Sequence, residues 1–460
     1  RLFAVLVYGK EEIKRLSMNE ALTLKDIEKF SQKQQENALV KQMGIRQNGI
    51  VASCIDANEA MKLQNVFSIE IKAGDITNQN KSGRCWMFAG LNVLRQKLFK
   101  KLGVNSIELS QAYLQFYDKL EKANFTLERA IELADEPISS RLNAYLLDNG
   151  IADGGHWAMF ASLVKKYGVV PSSAMKDTAV SKNTSELNSV LKKAIANDIK
   201  TIRDLAQAGK SKEDIRKKKD AMLAEIYNIL TLSLGVPPKT FVLEYRNKKD
   251  EFVRLPEMTG LEFFQKYIGA DLDDWISLSD ANTLGWEKGI RYTSHYVGNV
   301  EGGDPIVFFD VPTADLRKAV VASLKGGDIV WFAADVTASS LRQEGLLGGK
   351  LIRDDLLFGT KDRLSKGQQL DYHVTYCNHA MAFTGVNLVN GRPNRYKVEN
   401  TWGKDKGSDG FFVADAEWFD RYVYQILVHK KYLSKELLEA FEKAPIKDIE
   451  PFNGLWNALD

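Results

Sequence analysis

Gln79-Asn80-Lys81-Ser82-Gly83-Arg84-Cys85-Trp86-Met87-Phe88 is the stretch that decides how this chain folds. It closes a polar loop and opens a segment of helical periodicity. Met87, Leu91, Leu94 and Leu98 recur at helical steps and form one apolar face. Lys97, Lys100 and Lys101 crowd the far end, and Gly103 can stop the helix. Ser82 reads as the N-cap, which places Cys85 at the third helical position. A thiol at the positive end of a helix is favoured as thiolate.

Two later clusters carry what such a thiol needs. They read Asn378-His379-Ala380-Met381-Ala382-Phe383-Thr384-Gly385 and Glu399-Asn400-Thr401-Trp402-Gly403. His379 is the candidate base for Cys85, and Asn400 the group that fixes the ring. Trp402 would shield that bond from water, and Trp86 flanks the thiol. Gln79 and the Cys85 backbone N–H would face the oxygen that becomes negative during acyl transfer. Taken singly, a cysteine is usually a small buried hydrophobe and a histidine before a strand is structural. Three clusters in the order Gln-Cys-His-Asn leave that bland reading little room.

The clusters resemble the papain superfamily. Within it they resemble the bleomycin hydrolase and bacterial aminopeptidase C family, to which aminopeptidases E, G and W are similar. Papain-type histidines follow the cysteine by about 130–150 residues, whereas His379 follows Cys85 by about 290. That wide spacing and the Ser82-Gly83-Arg84-Cys85-Trp86 form of the motif are similar to the bleomycin hydrolase type. Leu109–Leu114, Asp118–Asn124, Asp153-Gly154-Gly155, Trp331-Phe332 and Glu417–Asp420 are similar as well, so the resemblance runs from about Leu22 to Pro451.

The resemblance implies an α+β, papain-like two-lobe cysteine peptidase. A helical left lobe would carry the cysteine, a β-barrel-like right lobe the histidine, and a large helical segment would be inserted. Asp153, Gly154 and Gly155 would contact peptide substrates, glycine permitting close approach. The tail would lie in the cleft, and the Asp460 carboxylate would meet the substrate's amino group, giving an aminopeptidase. Family members form hexameric cages, so a homohexamer is expected. Gly454, Trp456 and Asp460 depart from the family's tail pattern, which leaves an endopeptidase with a displaced tail as the alternative. The intact quartet argues against a third reading, a non-catalytic nucleic-acid-binding or scaffold protein.

Composition sets the frame. The chain has 460 residues, 44% hydrophobic and 27% charged, ample for a sizeable core. Cys54, Cys85 and Cys377 cannot all pair, and their scarcity points to a reducing compartment, hence the cytoplasm. Leu2–Val7 is too short to span a bilayer, so no membrane partner is expected. Net charge is +3. The basic run Arg216–Lys219, within the charged stretch 192–220, reads as a solvated helical face, so nucleic acid is not expected as a partner. No His, Cys, Asp or Glu spacing resembles a metal site, and no metal or organic cofactor is expected.

Five segments follow. Residues 1–17 are expected to be upstream sequence. Residues 18–124 form an N-terminal arm and the helical lobe, with Ser110 capping a second helix. Residues 125–298 are a largely helical insertion with a hairpin around Asn247–Asp250. Residues 299–430 form the β-rich lobe, and 431–460 a helix and the cleft-directed tail.

Overall fold

The structure, a computed structural model, describes residues 21–33 and 36–456. The expected upstream segment 1–17 lies outside them, as does Asp460. The chain divides into two compact units. The smaller comprises residues 1–55 and 352–362. Its described part carries helices Leu24–Ser31, Ala38–Asn48, Ile50–Ser53 and Asp354–Phe358, none with a buried residue. The Arg353 N–H donates to the Cys54 carbonyl at 2.7 Å within it.

The larger unit, residues 56–351 and 363–460, holds all four residues of the proposed quartet. Its first long helix is Cys85–Leu102, with Met87, Leu91, Leu94 and Leu98 buried as the periodicity requires. Each such burial contributes about 1.5–3 kcal/mol. Gly103 ends the helix at φ 65°, a left-handed turn that glycine adopts without strain. The start differs from expectation. The residue before the helix is Arg84, without a side-chain cap, and Cys85 is the first helical residue, not the third. The reason is local: the Ser82 hydroxyl donates back to the Gln79 carbonyl at 2.6 Å and accepts from Arg84 Nε at 2.9 Å.

Ser110 does cap the second helix, Gln111–Glu132, accepting from the Tyr113 N–H at 3.1 Å. Helices Ser185–Gln207 and Lys212–Leu234 pack on it. The first of these buries Leu187, Leu191, Ile195, Ile199 and Ile202 and turns its charges outward. Arg216 and Lys219 of the basic run pair with Glu128, and Lys217 with Asp214. The hairpin forms as Glu244–Arg246 against Phe252–Arg254.

Apart from that hairpin, the strands among the described residues form one twelve-stranded sheet. At its centre, His379–Val389 lies between Val330–Ala334 and Arg392–Glu399, antiparallel to both. Side chains alternate across these strands. Trp331, Ala333, Ala380 and Ala382 face the core shared with the helices, whereas Val330, Phe332, Ala334, Met381 and Phe383 face a second core on the other side. The expected barrel does not close. The strand path ends on two short strands that do not meet, Ile446–Asp448 and Ser340–Leu341, so the right lobe is an open sheet. Strands Trp275–Ser279 and Arg291–Thr293, from within the 125–298 stretch, join it. No helix among the described residues is long and apolar enough to cross a membrane.

Candidate active site

Cys85 opens its helix where the first N–H groups have no intrahelical acceptor. The Ala380 N–H donates to Cys85 Sγ at 3.4 Å, which sets the sulfur beside the start of the His379 strand. That strand pairs with Arg392–Glu399 in the register Ala382 to Glu399, so the chain leaving Glu399 carries Asn400 to the histidine. His379 Nε2 and Asn400 Oδ1 are 2.8 Å apart.

The ring's tautomer follows from one neighbour. Asn400 Oδ1 also accepts the Thr401 backbone N–H at 2.8 Å, so that atom is the amide oxygen. His379 Nε2 must therefore donate, and Nδ1 holds the lone pair. Burial lowers His379 to about 4, opposed by its bond to Asn400. Burial thus favours the neutral ring, the form that can accept a proton. Trp402 covers it, with ring centroids 4.7 Å apart.

Gln79 is buried and doubly held. Its Oε1 accepts from the Thr401 hydroxyl at 2.6 Å, and its Nε2 donates to the Ser82 carbonyl at 2.7 Å. A carboxamide nitrogen carries two hydrogens, so a second remains to serve as an oxyanion donor. Arg84 lies buried just before the thiol, bonded to Gln115 and ion-paired with Asp177, which offsets its charge.

The Gly154–Gly155 segment rests on Trp86. A Cβ on Gly155 would come within 2.7 Å of the indole, so only glycine permits this approach. Trp86 Nε1 donates to the Asp153 carbonyl at 3.0 Å. Asp153, expected among the substrate contacts, turns its carboxylate inward instead. Oδ2 accepts from the Gly83 N–H at 3.0 Å and from the Thr184 hydroxyl, and Oδ1 pairs with Lys119 at 2.7 Å. Although burial acts the other way, these partners together hold the carboxyl well below its ordinary range. Asp153 positions the segment.

Sequence reasoning quoted Asp118, Lys119 and Lys122 without giving them a role. In the structure, buried Lys122 donates to the carbonyls of Ala152, Asp153 and Gly154 at 2.8, 3.3 and 2.6 Å. It pairs with buried Asp118 at 2.9 Å. Lys119 donates to the Ile151 carbonyl at 2.8 Å. The available signal was the Asp118–Lys122 spacing, one helical turn on the face that also carries Leu114.

The tail enters this region. Trp456 is fully buried, 4.8 Å from Phe308 between ring centroids, and its carbonyl accepts from Tyr145 Oη at 3.4 Å. The Gly454 carbonyl accepts the Cys377 N–H at 3.1 Å. Trp456, Tyr145, His156, Gly154 and Gly155 line a cavity of about 30 Å³, room for little more than one water. His156 lines this space and packs edge-on to Phe308, and burial lowers it to about 4.

Comparison with known proteins places nearly the whole chain among cysteine peptidases. Residues 21–455 match the model of the Peptidase C1-like family. Aminopeptidase C of Listeria monocytogenes is 43% identical over 442 residues, covering 95% of this chain and all of the relative. Aminopeptidase E of Lactobacillus helveticus is 39% identical with the same coverage. The crystal structure of PepW from Lactobacillus rhamnosus superposes with a TM-score of 0.92 at 38% identity, covering 96% of this chain and all of that one.

Proposed function

Because this chain belongs to the Peptidase C1-like family and is a cysteine peptidase, we propose that it is a cytoplasmic aminopeptidase that releases N-terminal residues from peptides through Cys85, His379, Asn400 and Gln79. Cys85 Sγ attacks the scissile carbonyl carbon while its proton passes to His379 Nδ1. The negative oxygen is met by the free Gln79 Nε2–H and the Cys85 N–H. His379 then protonates the leaving amine, and a thioester remains. Water attacks the thioester, its proton returns through His379, and the acid leaves. Asn400 holds the ring throughout. The Gly154 and Gly155 backbone would lie along the peptide.

One observation carries the aminopeptidase reading: Trp456 of the chain's own tail is buried and, with Gly154, Gly155 and His156, lines a cavity of only about 30 Å³. A peptide extending far beyond the scissile bond on that side would meet it. The Asp460 side-chain carboxylate, if it reaches the same cleft, would then attract a substrate ammonium. A free-amino aminoacyl fluorogenic substrate is expected to turn over much faster than its N-blocked counterpart. That advantage should decline above about pH 8 as the α-amine loses its proton. Deleting residues 457–460, or Trp456→Gly, is expected to raise hydrolysis of blocked peptides. An intact chain that cleaves both substrates equally well would establish the endopeptidase reading instead.

Assembly as a homohexamer completes the proposal. It is supported by the family resemblance and by Leu24, Ile27, Phe30, Leu39, Val40 and Met43, apolar side chains that the smaller unit exposes. Light scattering is expected to give a mass near six times the 51.7 kDa of one chain. A single-chain mass at every concentration would refute it.

A further inference from the structure

Arg95 lies on the Cys85 helix, well past the thiol, yet it touches the segments that bear the other groups. Its Nη2 donates to the Ala73 carbonyl at 3.0 Å, to the Asp75 carbonyl at 2.7 Å and to Glu399 Oε1 at 2.7 Å. Asp75 begins the run that leads to Gln79, and Glu399 directly precedes Asn400. Both charged side chains are buried. Gly74, between the two carbonyls, has φ +82°, and a Cβ there would strike the Phe99 ring at 2.6 Å. The turn is thus pressed against the helix. Asn92 Nδ2 adds a parallel bond to Thr77 Oγ1 at 3.2 Å.

We propose that the buried Arg95–Glu399 pair is a positioning device that holds three segments, those of Cys85, Gln79 and Asn400, in mutual register. Two buried charges are an expensive way to gain stability, since well-packed apolar residues often do as well. What the pair adds is geometry. One guanidinium nitrogen fixes the helix against both neighbouring segments at once, and the reacting groups hang from the ends of those segments. Displacement of about 1 Å among reacting groups costs on the order of 100-fold in rate. Neither residue touches substrate or the reacting atoms.

The inference rests on the quartet proposed above. Glu399→Gln keeps the shape and an acceptor oxygen but removes the charge, and Arg95→Lys keeps the charge but not the guanidinium nitrogen that reaches all three acceptors. Both full-length variants are compared with the parent by turnover per titrated active site and by the alkylation rate of Cys85 with iodoacetamide. Folded fraction is followed by circular dichroism. The expected result is a fall of roughly 10- to 100-fold in kcat per folded site, with KM within about twofold and alkylation slowed in step. A parental kcat per folded site overturns the proposal. So does a loss confined to the folded fraction, which would make the pair a matter of stability alone. Cys85→Ala, run alongside, separates the two readings: turnover surviving in it would sink the quartet, whatever Arg95 does.

Discussion

Cys85→Ala is expected to lower kcat by about 10⁶-fold, the scale on which removing a nucleophile acts in such groups. The variant loses the atom that attacks, so His379 has no proton to take and no thioester can form. Folding should persist, because the change removes one small atom from a site framed by Trp86 and Ala380. Cys54→Ala is the control. Cys54 lies in the smaller unit, and its sulfur donates to the Ile50 carbonyl at 3.1 Å. It should keep near-parental activity and remain open to iodoacetamide labelling at Cys85. Hydrolysis that survives Cys85→Ala, in protein free of parental enzyme, would remove the thiol from the mechanism.

Lys122→Met is expected to destabilise the fold by about 3–5 kcal/mol, the cost of leaving one member of a buried ion pair alone. Methionine fills much of the same volume, so packing is not the chief loss. Asp118 would keep its Asn299 bond at 3.0 Å but lose its nearest countercharge. Burial already pushes its carboxyl above the ordinary range. Three carbonyls, of Ala152, Asp153 and Gly154, would lose their shared donor. The midpoint of urea unfolding should fall with an unchanged slope. Activity per folded molecule should fall too, because the loosened loop carries Gly154 and Gly155. A midpoint equal to the parent's would mean that Lys122 does not hold the loop.

Most of the candidate site was legible because it is written locally. Cys85, His379, Asn400 and Gln79 each sit in a short run with its own flanks, and the periods of 3.6 and 2 around them place a helix and two strands. Charge burial was hidden for the opposite reason. Arg95 and Glu399 lie about 300 residues apart, and each alone reads as a surface residue. The helix start was misjudged because Asn80 takes a left-handed conformation, φ 55°, and the turn it makes captures the Ser82 hydroxyl. The strands were recognisable from their β-branched and aromatic residues, but nothing in that pattern says whether a sheet's two ends will meet. Trp456 looked like a departure from a tail pattern; its burial depends on Phe308 and Tyr145, from distant parts of the chain.

The pairing of the Cys85 helix with the His379 strand also sets a clock. A ribosome adding about 5–20 residues each second needs about 15–60 s to travel from one residue to the other. During that interval a growing chain holds the Cys85 thiol but neither His379 nor Asn400. It has no means of generating hydrolytic activity. Competence therefore waits on synthesis of the central strands, which bring His379 and Asn400 to the Cys85 helix.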